Sequence, residues 1–85
     1  MNIYNDNTKK AKLYYVEIFP KDNPSTYIMQ TEFVSSKKTA LNLASKIDYL
    51  DVDRFSLAIV TVNATLTSDR KEILEYEIVD SETIR

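Results

Sequence analysis

The chain contains no glycine, histidine, cysteine or tryptophan, and only two prolines among its 85 residues. An average chain of this length would carry about six glycines. Their absence excludes the glycine-rich loops that cradle phosphates in P-loop and dinucleotide-binding proteins. Without cysteine there are no disulfides or thiolate metal sites, and without histidine the Ser-His-Asp and Cys-His nucleophile systems are excluded too. No apolar run approaches the roughly 20 residues that span a bilayer. The first seven residues, Met1 to Asn7, are too polar for a secretory signal. The expectation is a cytoplasmic, non-enzymatic protein with no cofactor, no metal and no membrane contact.

What is present describes one small domain, residues 1–85, with 1–10 and 80–85 read as flexible ends. Hydrophobic residues make up 44% and charged residues 28% of the chain. A chain this size buries only about 60–65% of its unfolded surface, so its core is thin. The net charge of −2 argues against a general polyanion binder. Its distribution is uneven, however. Lys9 to Lys46 carries a net +4, and Ile47 to Arg85 a net −5.

Lys12 to Phe19 is dense in β-branched and aromatic residues and stops at Pro20, which predicts a strand. Turn chemistry follows over Lys21 to Ser25, and Tyr27 to Val34 reads as a second strand closing an antiparallel hairpin. Ser35 or Ser36 offers a helix cap. Thr39 to Tyr49 follows, with Ala40, Leu41, Leu43, Ala44, Ile47 and Leu50 at helical spacing. Phe55 to Val62 is almost continuously apolar and reads as a central strand. Asn63 to Asp69 reads as a polar connection, and Lys71 to Val79 alternates cleanly as a last strand. The order β-β-α-β-β predicts an α+β domain, one helix packed on a mainly antiparallel four-stranded sheet.

One helix covers only one face of such a sheet. If it covers Tyr14, Val16, Ile18, Ile28, Val34, Leu74, Tyr76 and Ile78, the other face receives Leu13, Tyr15, Phe19, Tyr27, Met29, Phe33, Phe55, Leu57 and Ile59. Each large side chain left in water forgoes roughly 1.5–3 kcal/mol of burial. The expectation is therefore a protein partner over that face, either a second copy in a homodimer or a different target. Six tyrosines point the same way, because tyrosine is enriched at protein contacts.

Three charged constellations compete with plainer explanations. Glu72, Glu75, Glu77, Asp80 and Glu82 make the last strand and tail acidic. They read as gatekeepers against sheet aggregation, as a surface docking on a basic groove, or, least well supported, as a Glu75/Glu77 carboxylate pair. Asp48, Asp51 and Asp53 crowd the helix C-terminus without the spacing or glycine of a calcium loop. Lys9, Lys10, Lys12 and Tyr15 interleave basic and aromatic residues as single-strand nucleic-acid binders do, although Glu17 shares a strand face with Tyr15.

Eight Lys against three Arg, with eight Ile, six Asn and six Tyr, give a composition similar to short acidic proteins of phages and mobile elements of AT-rich bacteria. Stoichiometric inhibitors of host defence, the anti-CRISPR proteins among them, belong to that class. The likeness implies a host-protein inhibitor acting by surface occupation. Expected contacts are Tyr15, Phe19, Tyr27, Phe33, Glu75 and Glu77. The alternative is a small single-stranded nucleic-acid-binding protein using Lys9, Lys10, Lys12 and Tyr15.

Overall fold

In the computed structural model, residues 8–23, 26, 29–47 and 53–85 are described. The elements are β1 (Thr8–Pro20), β2 (Met29–Gln30), α1 (Lys37–Lys46), β3 (Phe55–Thr67) and β4 (Ile73–Thr83). They form one helix and a four-stranded antiparallel sheet of order β2-β1-β3-β4. The α+β class read from the sequence is the observed one. Two 13-residue strands at about 3.3 Å per residue reach roughly 43 Å, and the molecule measures 50 × 24 × 16 Å.

β3 starts at Phe55 as expected, and the other strand boundaries differ from the expected ones. β1 begins at Thr8, so residues 8–10 pair with Leu66 and its neighbours rather than fray. β3 runs on through Thr67, because Asn63, Thr65 and Thr67 alternate with Ala64 and Leu66 and extend the pairing. The expected eight-residue second strand is reduced to Met29–Gln30 plus a single bridge between Tyr14 and Val34. Thr31 explains the interruption. Its N–H donates to the Val16 carbonyl, while its hydroxyl accepts the Val16 N–H at 2.9 Å. Tyr27 and Ile28 lie outside the described residues, as do Leu50, Asp48 and Asp51.

Ser36, not Ser35, caps α1, with its hydroxyl accepting the Thr39 N–H at 3.1 Å. Removing that acceptor costs about 1 kcal/mol. Ser36→Ala is therefore expected to lower the urea midpoint by a corresponding amount, whereas Ser35→Ala leaves it unchanged. The helix ends at Lys46, and Leu41 points into solvent rather than into the apolar stripe.

The cross-strand register decides which face each side chain joins. Val16 stands opposite Ile59, and Ile18 opposite Leu57, so all four share the helix side. With Ala40 and Ala44 they make the first core, flanked by Tyr14, Val34, Leu43, Ile47, Phe55 and Ile84. This corrects the expectation that Phe55, Leu57 and Ile59 lie on the helix-free face. The two alanines let the helix backbone approach the sheet closely.

The helix-free face carries a second core of Tyr15, Val60, Val62, Ala64 and Leu66, flanked by Ala11, Leu13, Phe33 and Ile73. Tyr15 is 3% exposed and Val62 fully buried. The face that was expected to need a partner is thus already closed within one protomer. Leu13, Phe33 and Ile73 pack against this cluster.

The tail is not a polar appendage. β4 continues to Thr83, the Ile84 N–H donates to the Leu57 carbonyl, and the Leu57 N–H donates to the Arg85 carbonyl. The Arg85 guanidinium then donates to the Ile47 carbonyl at the end of α1, at 2.7 Å.

Between β3 and β4 a chain without glycine must still turn. Arg70 takes the left-handed conformation, φ 62°. The Asp69 carboxylate braces the turn, accepting from the Thr67 hydroxyl and the Lys71 N–H, and these bonds hold its pKa below the usual value. A non-glycine residue there costs about 1 kcal/mol, and asparagine tolerates it better. Arg70→Asn is expected to stabilise the domain by about 0.5 kcal/mol in urea unfolding.

Candidate functional site

The sheet order leaves β4 at one edge and β2 at the other. The two edges are built differently. β2 is two residues long and its continuation is broken at Thr31, which blunts it. β4 is eleven residues long, contains no proline, and is exposed from Glu75 to Thr83.

Its side chains are sorted by charge. Thr65 stands opposite Glu75, Asn63 opposite Glu77, Thr61 opposite Asp80 and Ile59 opposite Glu82. Because Ile59 is on the helix side, all four carboxylates are on that side. Simple alternation would not achieve this, since 75 and 77 differ in parity from 80 and 82. The register shift supplies the missing step: Val62 pairs with Ile78 and Thr61 with Asp80, leaving Val79 as the extra residue of a bulge. The opposite side of β4 presents Ile73, Tyr76, Ile78, Ser81 and Thr83.

On that side Tyr76 is 46% and Ile78 57% exposed, and the bulged Val79 is 45% exposed. This corrects the placement of Tyr76 and Ile78 beneath the helix. The Tyr76 ring is held from one side, because Phe33 meets it edge-on at 5.2 Å and in turn meets Tyr15 at 5.3 Å. A chain of three rings thus runs from the buried core to the exposed edge.

The acidic side forms one wall of an open trough of about 690 Å³, lined among others by Lys10, Lys12, Asn63, Thr65, Glu75 and Glu77. Lys12, Asn63 and Glu77 make one cross-strand row, and Lys10, Thr65 and Glu75 the next. Lys10 leans over β3 to donate to the Thr65 hydroxyl at 2.7 Å. At the helix end of the acidic row, Lys37 of α1 contacts Glu82 at 2.7 Å. That contact, charge and hydrogen bond together, raises the Lys37 pKa.

The expected contact residues are only partly brought together. Glu75 and Glu77 share the acidic side of β4, and Phe33 touches Tyr76. Phe19 is half-buried far along β1, opposite Ser56. Tyr15 is a core residue, so its ring is not available to a partner. The nucleic-acid constellation does not assemble either. Tyr15 and Lys9 fall on the opposite side of β1 from Lys10 and Lys12, and the latter two face Glu75 and Glu77. Carboxylates across the same trough repel phosphate. Among the described residues no group of three acidic side chains is placed to hold a metal ion. No described helix is long and apolar enough to cross a membrane.

Sequence reasoning missed Tyr76, Ile78 and the sorting of the carboxylates. The signal was there in the doublet Ile78-Val79, which breaks the alternation between Glu77 and Asp80. In a strand with one acidic side, such a phase change marks a bulge. Comparison with known protein families, curated proteins and solved structures finds no match for this chain.

Proposed function

We propose that this protein is a non-enzymatic interaction domain that works by occupying the surface of another protein, with β4 as its contact edge. The observation that supports this is the contrast between the two sheet edges. One is short and broken; the other is long and exposed, with carboxylates on one side and Tyr76 and Ile78 on the other. Large apolar side chains beside same-sign charge are the makings of a specific contact, because the apolar area supplies affinity and the charge selects the partner. Four carboxylates on β4, which has no basic residue of its own, outnumber the nearby Lys10, Lys12 and Lys37 and favour a basic surface.

That chemistry disfavours a homodimer through this edge. Pairing two copies of β4 antiparallel would continue the sheet with the same side up, placing eight carboxylates on adjacent strands. The partner is a different protein. The composition fits a phage-borne or mobile-element inhibitor, of the anti-CRISPR kind, that silences a host protein by covering a basic site.

The test is affinity capture from a bacterial lysate with the tagged full chain and two variants, Glu75→Lys/Glu77→Lys and Ile78→Asp. A protein retained by the parent and lost from both variants is the expected result. Equal retention by all three would place the contact elsewhere.

A further inference from the structure

An edge strand offers a partner its backbone as well as its side chains. Among the described residues no strand lies outside β4, and its outward N–H and C=O groups have no ladder partner among them. Proteins commonly protect such an edge with lysine, proline or short length, and β4 has none of the three; its carboxylates and its bulges guard it against copies of itself but leave it open to a basic strand. Between the irregularities at Leu74 and Val79 lies a regular run, Glu75 to Ile78, in which charge and apolar area alternate strictly.

Resting on that reading, we infer that the partner adds an extended segment to the sheet as a fifth strand along β4, with the repeat basic-apolar-basic-apolar opposite Glu75–Ile78. In an added strand, directly opposed side chains lie about 4.5–5.5 Å apart on the same face. Lys or Arg at alternate positions therefore meets Glu75 and Glu77, and the intervening valine-like residues meet Tyr76 and Ile78. Main-chain hydrogen bonds supply affinity and the alternating side chains supply selectivity, as in other β-augmentation contacts. Phe33 already restrains the Tyr76 ring at 5.2 Å, so less freedom is lost when the strand arrives. An acidic or wholly apolar segment satisfies only one side of the edge.

The probe is a fluorescent peptide of about ten residues with Lys and Val alternating, titrated against the full chain by anisotropy. Two further versions carry backbone N-methyl groups on the even or on the odd residues, and a third replaces Lys by Glu. The expected result is salt-sensitive binding of the parent peptide, a loss of about tenfold or more in one of the two N-methylated versions, and no binding of the Glu version. Equal binding of both N-methylated versions would overturn strand addition, while the capture experiment could still assign the contact to β4. No binding of any peptide would overturn it likewise. Concentration-dependent self-association abolished by Glu77→Lys would make the occupant a second copy and contradict the inference.

Discussion

Ile59→Ala is expected to remove about 3–4 kcal/mol of stability. Ile59 is fully buried in the first core, opposite Val16 on the central pair of strands and in the same cluster as Ala40 and Ala44. The helix contributes only ten residues over this face, so little can move to fill the space. A domain of this length has a total stability of roughly 4–13 kcal/mol, so the variant sits close to the folding limit. Ile78→Ala is the matched control. Ile78 belongs to the same residue type on a neighbouring strand but is 57% exposed, and its loss should cost less than about 0.5 kcal/mol. Urea denaturation of the two variants reads the face assignment directly. A severe Ile78→Ala and a mild Ile59→Ala would restore the face assignment expected from sequence and refute the observed register.

Glu75→Lys/Glu77→Lys should leave stability nearly unchanged, because both side chains are exposed. Its effect falls on recognition. The change replaces one charged wall of the trough with the sign already present on Lys10 and Lys12. Binding of a basic partner is expected to weaken by about tenfold to a hundredfold at low salt, mainly through slower association, and the difference should shrink as salt screens the charges. The same variant gathers four lysines in one trough and should begin to retain oligonucleotide in a low-salt filter assay in which the parent protein is expected to retain none. If the variant binds the partner as the parent does, the carboxylates are only gatekeepers of an exposed edge.

The class of the fold was legible because its signals are local. β-branched and aromatic runs, a capped stripe of alanine and leucine, and Pro20 each mark an element without knowledge of its neighbours. The faces were not legible, and β3 is the reason. Phe55 to Val62 is apolar at nearly every position, so parity along it carries no information; only pairing with β1 assigns Leu57 and Ile59 to the helix. Asn63 and Thr65 misled in the other direction. They resemble a loop in composition, yet they alternate with buried Ala64 and Leu66 and form the floor of the trough. Glu75 and Glu77 were found from sequence because charge on a strand is conspicuous. Tyr76 was assigned to the core because an aromatic residue in an alternating strand usually belongs there.

The bulge at Val79 sets the side of Asp80 and Glu82 and also bends the exposed edge. Deleting Val79 removes the extra residue while keeping Ile78 opposite Val62 and Asp80 opposite Thr61. The deletion variant is therefore expected to fold with the Lys37–Glu82 contact intact. It also presents a straighter edge, and its tendency to associate should rise.

Amide hydrogen exchange along β4, with and without the alternating Lys/Val peptide, addresses the contact edge most directly. Alone, amides of β3 should be strongly protected, and the outward amides of Glu75–Ile78 should exchange quickly. With peptide bound, the outward amides should slow by about tenfold or more, while the helix and β2 stay unchanged. Protection arising at β2 or α1 instead, with β4 unaffected by a bound peptide, would contradict the account.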